Sequence, residues 1–225
     1  MKLAGFRTTK TYDLIMAFPL IVWFGGAAIK LRPSLVALGG ALTAGTITWH
    51  GVLLFLALFA SATFNLLLVW LLIGRSVPVL RSPSLLAKAC GFVGTFLSVT
   101  ILYLPRVMPS LPWLLLSDVL LIAGFTASVA IVSRLGRAFS ILPEARVLVT
   151  GGAYSHVRHP LYVAEVIGML GNVILFRQPW ALLLLVAVVA MLVARSHFEE
   201  KILLEAFPEY AAYRARTKRF IPGVI

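Results

Sequence analysis

Six apolar runs separated by short polar breaks dominate the chain, at roughly residues 12 to 29, 51 to 73, 86 to 104, 112 to 133, 160 to 176 and 179 to 197. About 20 apolar residues cross a bilayer as a helix, so the pattern predicts about six spans. The stretch Leu35 to Trp49 is short and carries two adjacent glycines and three threonines, with His50 just beyond it. It reads as an interfacial or re-entrant piece rather than a seventh span. Past Ala194 the pattern turns amphipathic: Ile202, Leu203, Ala206, Tyr210 and Tyr213 recur at helical spacing, interrupted at Pro208. This predicts a helix that leaves the membrane and then lies along the headgroups. The expected fold is all-α, a polytopic membrane helix bundle forming one integral domain. Residues 1–133 supply the first four helices, and residues 134–225 supply a polar loop, a helical hairpin and an amphipathic tail.

Composition sharpens the class. The 225 residues are 60% hydrophobic and 12% charged, with a mean hydropathy of +0.98, which excludes an ordinary soluble domain. A net charge of +12 on a soluble protein would suggest nucleic acid; here membrane lipids account for it and no nucleic-acid partner is expected. With six spans, 16 of the 20 basic residues fall on one side, leaving Lys30, Arg32, Arg106 and Arg177 on the other. That asymmetry places both termini, the central loop and the tail in the cytoplasm. Lys2, Arg7 and Lys10 ahead of the first run resemble a signal peptide, but the later runs favour an uncleaved first span. The single cysteine, Cys90, reads as a small buried residue.

Chemistry concentrates in the final third. Val149 to Tyr162 is a polar, glycine-bearing turn that runs directly into an apolar helix. Pro160 suits the first helical turn and puts His159 near the N-cap, with Arg158 beside the positive end of the helix dipole. Gly151 and Gly152 permit a left-handed turn and close backbone approach. The next two runs are joined only by Arg177-Gln178-Pro179, so they form an antiparallel hairpin. The hairpin brings the His159 end beside Arg195, Glu199 and Glu200, about 40 positions away. Arg195 and Glu199 share a helix face at i, i+4, while Glu200 points to a neighbouring one. Taken one by one, these residues also fit solvated anchors at the end of a span. Glu165, on roughly the same face as Tyr162, fits a structural acid paired with a basic neighbour and a direct functional role equally well; Asp118 and Asn65 fit structural intramembrane positions, and Asp13 and His50 interfacial ones. His156 and His159 are the closest histidine pair and have no third ligand, so no metal site is expected.

Gly152-Ala153-Tyr154, then Arg158-His159-Pro160-Leu161-Tyr162, then Arg195 with Glu199-Glu200, then Phe207-Pro208-Glu209-Tyr210 and Tyr213 resemble the C-terminal region of the isoprenylcysteine carboxyl methyltransferases and related phospholipid methyltransferases. The resemblance covers about residues 134 to 225, with Ala164 and Pro208 where the family often has glycine. It implies an integral membrane enzyme that transfers a methyl group from S-adenosylmethionine to a lipophilic acceptor at the cytoplasmic face. The matching cofactor contacts are the backbone of Arg146, Val147, Leu148 and Val149, together with Tyr154, His159, Pro160, Leu161, Tyr162 and Glu199. Arg195 matches the arginine on the acceptor side. The chemistry of these residue types agrees. Arg158 at a helix N-terminus suits the cofactor carboxylate, Glu199 and Glu200 suit its amine and hydroxyls, and a Tyr154 or Tyr162 ring suits the sulfonium. For an amine acceptor, Glu199, Glu200 or His159 is the candidate base. Two other classes fit parts of the pattern: a sterol-reductase-like enzyme using NADPH, with Arg137 and Arg146 near its phosphate, and a non-enzymatic transporter or scaffold relying on Asp118 and Glu165.

Overall fold

The computed structural model describes residues 9–105, 107 and 109–223; Lys2, Arg7 and Arg106, used in the charge asymmetry above, lie outside them. Among the described residues, seven α-helices carry the fold: α1 Lys10–Thr43, α2 Trp49–Gly74, α3 Leu85–Leu97, α4 Leu111–Leu135, α5 Pro160–Phe176, α6 Pro179–Ala206 and α7 Tyr210–Arg216. The turns that start them are legible locally. Thr9, Thr48 and Ser84 each accept a hydrogen bond from a backbone N–H of the first turn of α1, α2 and α3, satisfying donors that a helix start leaves open.

Among the described residues, five helices are long and apolar enough to cross a membrane: α1, α2, α3 with its 3-10 extension to Tyr103, α4 with its extension to Ala138, and α6. This marks the chain as an integral membrane protein. The sixth expected span, α5, is apolar but has only 17 residues, about 25 Å at the α-helical rise.

The first helix departs from expectation. Leu35 to Thr43 is not a separate re-entrant piece but the end of α1, which runs unbroken through Pro19 and Pro33 for 34 residues. Neighbour packing explains this. Gly39 faces the Phe55 ring of α2, where an added methyl would sit 3.7 Å from it, so the small residue serves the α1/α2 contact rather than a turn. The turn comes later, at Gly45, with φ +70°.

Neighbouring helices follow the order α1, α2, α4, α5, α6, α3, and Trp23 of α1 meets Phe96 of α3 edge-on at 5.0 Å. The closest contact is α4 against α5. Ser117 Oγ donates to the Gly171 carbonyl at 2.8 Å, and Gly124 lies against the Gly168 backbone. Small residues on both helices let the backbones approach, which is how helices associate where lipid removes the hydrophobic drive. Between α5 and α6 the chain turns at Arg177, in a left-handed conformation at φ 47°, producing the expected antiparallel hairpin.

An addition to the all-α expectation is a two-residue antiparallel ladder, β1 Leu80–Arg81 with β2 Glu144–Ala145. It ties the α2/α3 connection to the α4/α5 connection. Gly91 of α3 sits under the same loop, where a Cβ would come within 2.9 Å of the Ile141 carbonyl oxygen. The loop ahead of α5 is therefore held from two sides.

Candidate active site

A cleft opens at the end of the bundle where α5 begins and α6 passes. It spans about 820 Å³ of non-atom space, open solvent included. One wall is the extended strip Arg146 to Val149; the opposite wall is Tyr154, His159, Leu161 and Tyr162 with Arg195 and Glu199 of α6. Val147, Leu148 and Val149 make no backbone hydrogen bond among the described residues. Backbone polar groups at a partly buried wall normally find partners, so this strip presents donors and acceptors to whatever the cleft holds.

The hairpin assembles the polar side. Tyr162 Oη donates to Glu199 Oε1 at 2.7 Å, and Arg195 Nε donates to the same oxygen at 2.8 Å. Glu199 Oε2 is left with no hydrogen bond among the described residues, its nearest cation being His159 Nδ1 at 3.8 Å. The His159 ring stacks on Tyr162 with centroids 5.1 Å apart, and the Arg195 guanidinium stands 5.2 Å from the Tyr162 ring centre. These contacts commit the Tyr162 ring, so of the two tyrosines Tyr154 is the one left to offer a ring face. Burial, reinforced by the negative charge of Glu199, pushes the Tyr154 phenol well above its ordinary range and keeps it protonated.

The tail closes over this loop instead of lying flat on headgroups as expected. Val157 bridges Lys218, Arg158 N–H donates to the Lys218 carbonyl at 2.8 Å, and His159 N–H donates to that of Arg219 at 3.0 Å. Tyr213 Oη donates to the Tyr154 carbonyl at 2.6 Å, and Tyr210 is fully buried. The two tyrosines use the amphipathic stripe of α7 to pack on protein, which explains the difference. Tyr213→Phe should therefore cost about 1–2 kcal/mol by leaving that buried carbonyl unpaired, seen as a lower thermal midpoint in detergent.

Residues 112–210 match the model of a known family, described as phospholipid methyltransferase. The chain is also similar to the cobalt-zinc-cadmium resistance protein CzcN of Cupriavidus metallidurans, 38% identical over 109 residues, covering 47% of this chain and 50% of that protein. A second similarity is to the nickel-cobalt-cadmium resistance protein NccN of Alcaligenes xylosoxydans xylosoxydans, 38% identical over 76 residues, covering 33% of this chain and 36% of that protein. The chain thus spans about half the length, or less, of the curated relatives it matches. Among the described residues, no group of three or more His, Cys, Asp or Glu is placed to hold a metal ion.

Most of the predicted site residues line the cleft: Val147, Leu148, Val149, Tyr154, Arg158, His159, Leu161, Tyr162, Arg195 and Glu199, together with Arg146. Two fall elsewhere. Pro160 is buried in the first turn of α5 and does not line the cleft. Glu200 points away, as its different helix face requires, and its carboxylate is taken by Arg158 Nε at 2.8 Å, His159 Nε2 at 3.2 Å and Arg219 Nε and Nη2 at 3.0 and 2.9 Å. It is a structural counter-ion, so the expectation that it holds cofactor hydroxyls or acts as a base is corrected. Arg158 lines the cleft, but its guanidinium is tied to Glu200 and to the carbonyls of Arg214 and Thr217, which leaves little of it for a ligand carboxylate.

Sequence reasoning also missed a cluster beneath the strip. Asp13 is not interfacial but 1% exposed, and it accepts from Arg75 Nε at 2.9 Å, Arg81 Nη2 at 3.3 Å and Arg146 Nη2 at 2.6 Å. Arg146 also reaches Glu144 at 2.6 Å and the Ser76 carbonyl. Both terminal guanidinium nitrogens are engaged in holding the loop, while its buried Nε has no hydrogen-bond partner among the described residues. Arg146 is therefore not available for a nucleotide phosphate, and Arg137 does not line the cleft. His50 likewise is not merely interfacial; its Nε2 lies 3.3 Å from Asp118.

Proposed function

We propose that the protein is an integral membrane methyltransferase that uses S-adenosylmethionine and delivers the methyl group to a lipophilic or lipid acceptor at the cytoplasmic face. The observation that carries this reading is that one cleft is lined both by Val147 to Val149, whose backbone groups are unpaired among the described residues, and by Glu199, whose second carboxylate oxygen has no hydrogen bond among them. The match of residues 112–210 to the family described as phospholipid methyltransferase supports it. The donor set suits the group: extended backbone and leucine and valine side chains for the adenine, the open Glu199 oxygen for an amine or ribose hydroxyls, and the Tyr154 ring for a sulfonium. For the carboxylate, the first-turn N–H groups of α5 and the Arg195 guanidinium remain once Arg158 is engaged.

When bound, S-adenosylmethionine supplies an already activated methyl group, so the protein's task is alignment. Arg195 and Tyr162 fix Glu199 from two sides. His159 buttresses the Tyr162 ring, and the Asp13 cluster fixes the facing strip through Arg146. An acceptor that is already a carboxylate or thiolate needs no base. An amine acceptor does, and Glu199 or His159 is then in position to take the proton. The first four helices form the acceptor side and residues 134–225 the cofactor side. The excess of basic residues at the cleft end supports a cytoplasmic location for that end and for both termini. The reductase alternative has lost its Arg146 cation to Asp13 and Glu144.

Calorimetric titration of the detergent-purified protein with S-adenosylhomocysteine and with NADPH tests the reading. Micromolar binding of the first alone is expected, weakened about 10-fold or more in Glu199→Gln, as befits a lost charge-assisted hydrogen bond. Binding of NADPH instead, or of neither by folded protein, would overturn it.

A further inference from the structure

A second groove, on the far side of Glu200 from the cleft, is unassigned by the methyl-transfer reading and independent of it. His197, Lys201 and Leu204 of α6 form one side and Arg214 and Arg219 of the tail the other, with Glu200 between them. It holds about 410 Å³ of empty space. Arg158 Nε and Arg219 Nη2 lie 2.8 and 2.9 Å from the Glu200 carboxylate, and Arg214 Nε lies 3.7 Å from it. With Lys201 on the rim, four fixed cations surround one carboxylate whose accepting capacity Arg158, Arg219 and His159 already fill. Both Lys201 and Arg214 are exposed, and no side-chain hydrogen bond is found for either among the described residues. Positive charge here exceeds what the protein neutralises, and at least two of the cations keep their donors for an incoming anion.

Helical spacing says what kind of anion. Val189, Val193, His197, Lys201 and Leu204 follow one another at intervals of four, four, four and three, so they form one continuous face of α6. Val189, Val193 and Leu204 on that face are exposed apolar side chains. Lys201 lies four residues past residue 197, where the apolar run ends, about 6 Å further along the helix axis. That distance corresponds to headgroup depth. A single face thus passes from an apolar surface suited to an acyl chain into a cationic recess at the level of lipid phosphates.

We infer that this groove binds the phosphate of an anionic lipid, with an acyl chain along Val189 and Val193. The lipid would draw the tail onto α6 through Arg214, clamping the strap that covers Arg158 and His159. A soluble phosphate ester offers the same charge but lacks the chain, which makes the two sources separable.

Native mass spectrometry of the full-length protein released from detergent, titrated with phosphatidylglycerol and with phosphatidylcholine, tests the inference. Lys201→Gln/Arg214→Gln should lower phosphatidylglycerol affinity at least 10-fold, and Lys201→Glu alone should lower it in the same direction. The charge-matched control Lys88→Gln/Arg137→Gln, altered at exposed positions outside the groove, should bind as wild type does. Equal loss in the control would overturn the site by reducing the effect to the diffuse positive field, and full retention in both groove variants would overturn it outright. Glycerol 3-phosphate should fail to displace the lipid at millimolar concentration. Displacement at micromolar concentration would overturn the lipid assignment in favour of a soluble phosphate.

Discussion

Asp13→Ala should destabilise the protein by about 3–5 kcal/mol, the penalty for stripping one partner from a buried ion cluster. The change leaves Arg75 and Arg146, 6% and 3% exposed, facing each other without the carboxylate that both hydrogen-bond. Glu144 remains for Arg146 and Arg81, but Arg75 has no second carboxylate within ion-pair distance among the described residues. Asp13→Asn retains the shape and loses the charge, so it should recover only a small part of the loss. The consequence extends to the cleft, because Arg146 carries the start of the Val147 to Val149 strip. Thermal unfolding in detergent, read beside S-adenosylhomocysteine titration at a temperature where the variant is folded, checks both parts. A variant as stable as wild type would show that water already screens the cluster.

Gly124→Leu should prevent a folded protein from accumulating, and Gly124→Ala should cost about 1–3 kcal/mol, the range for overpacking a close contact. A Cβ at Gly124 would lie 2.5 and 2.6 Å from the Gly168 N and Cα atoms and 2.9 Å from the Ala164 carbonyl oxygen. All three are backbone atoms, so no side chain can rotate away and α4 and α5 must separate. The contact is asymmetric in a testable way. A Cβ at Gly168 meets nothing nearer than 3.9 Å, so Gly168→Ala should leave stability within about 0.5 kcal/mol of wild type, as substitutions without a clash generally do. Comparing thermal midpoints of the two alanine variants decides the matter, and equal effects would refute the packing argument. Because α5 carries Tyr162 at its N-terminal end, the Gly124 variants should also weaken cofactor binding.

The candidate site was legible where chemistry follows from neighbours in the chain. Pro160 announces the start of α5, and the Arg177-Gln178-Pro179 turn makes a hairpin unavoidable, so chain connectivity alone brings the His159 end of α5 beside Glu199. Glu200 was misassigned because two adjacent acids look alike in sequence, while a helix turns about 100° between them and sends one to the cleft and the other to Arg158 and Arg219. Asp13 was misread because its partners lie 62 and 133 positions away, and no local pattern links an acid at the start of one helix to arginines in two remote loops.

Taken alone, the sequence determined that this is a helical membrane protein with a polar loop, a hairpin and a basic tail gathered at one end. Each of these depends on local quantities: run length, proline and glycine placement, and charge along the chain. Tertiary structure alone decided that α1 continues to Thr43, that α4 and α5 meet through glycines, and that the tail straps the loop. It also decided which carboxylate faces the cleft. The physical reason is common to all four. In an apolar environment nearly every helix face is hydrophobic, so hydropathy cannot rank partners, and the choice falls to steric fit and to the pairing of a few buried charges.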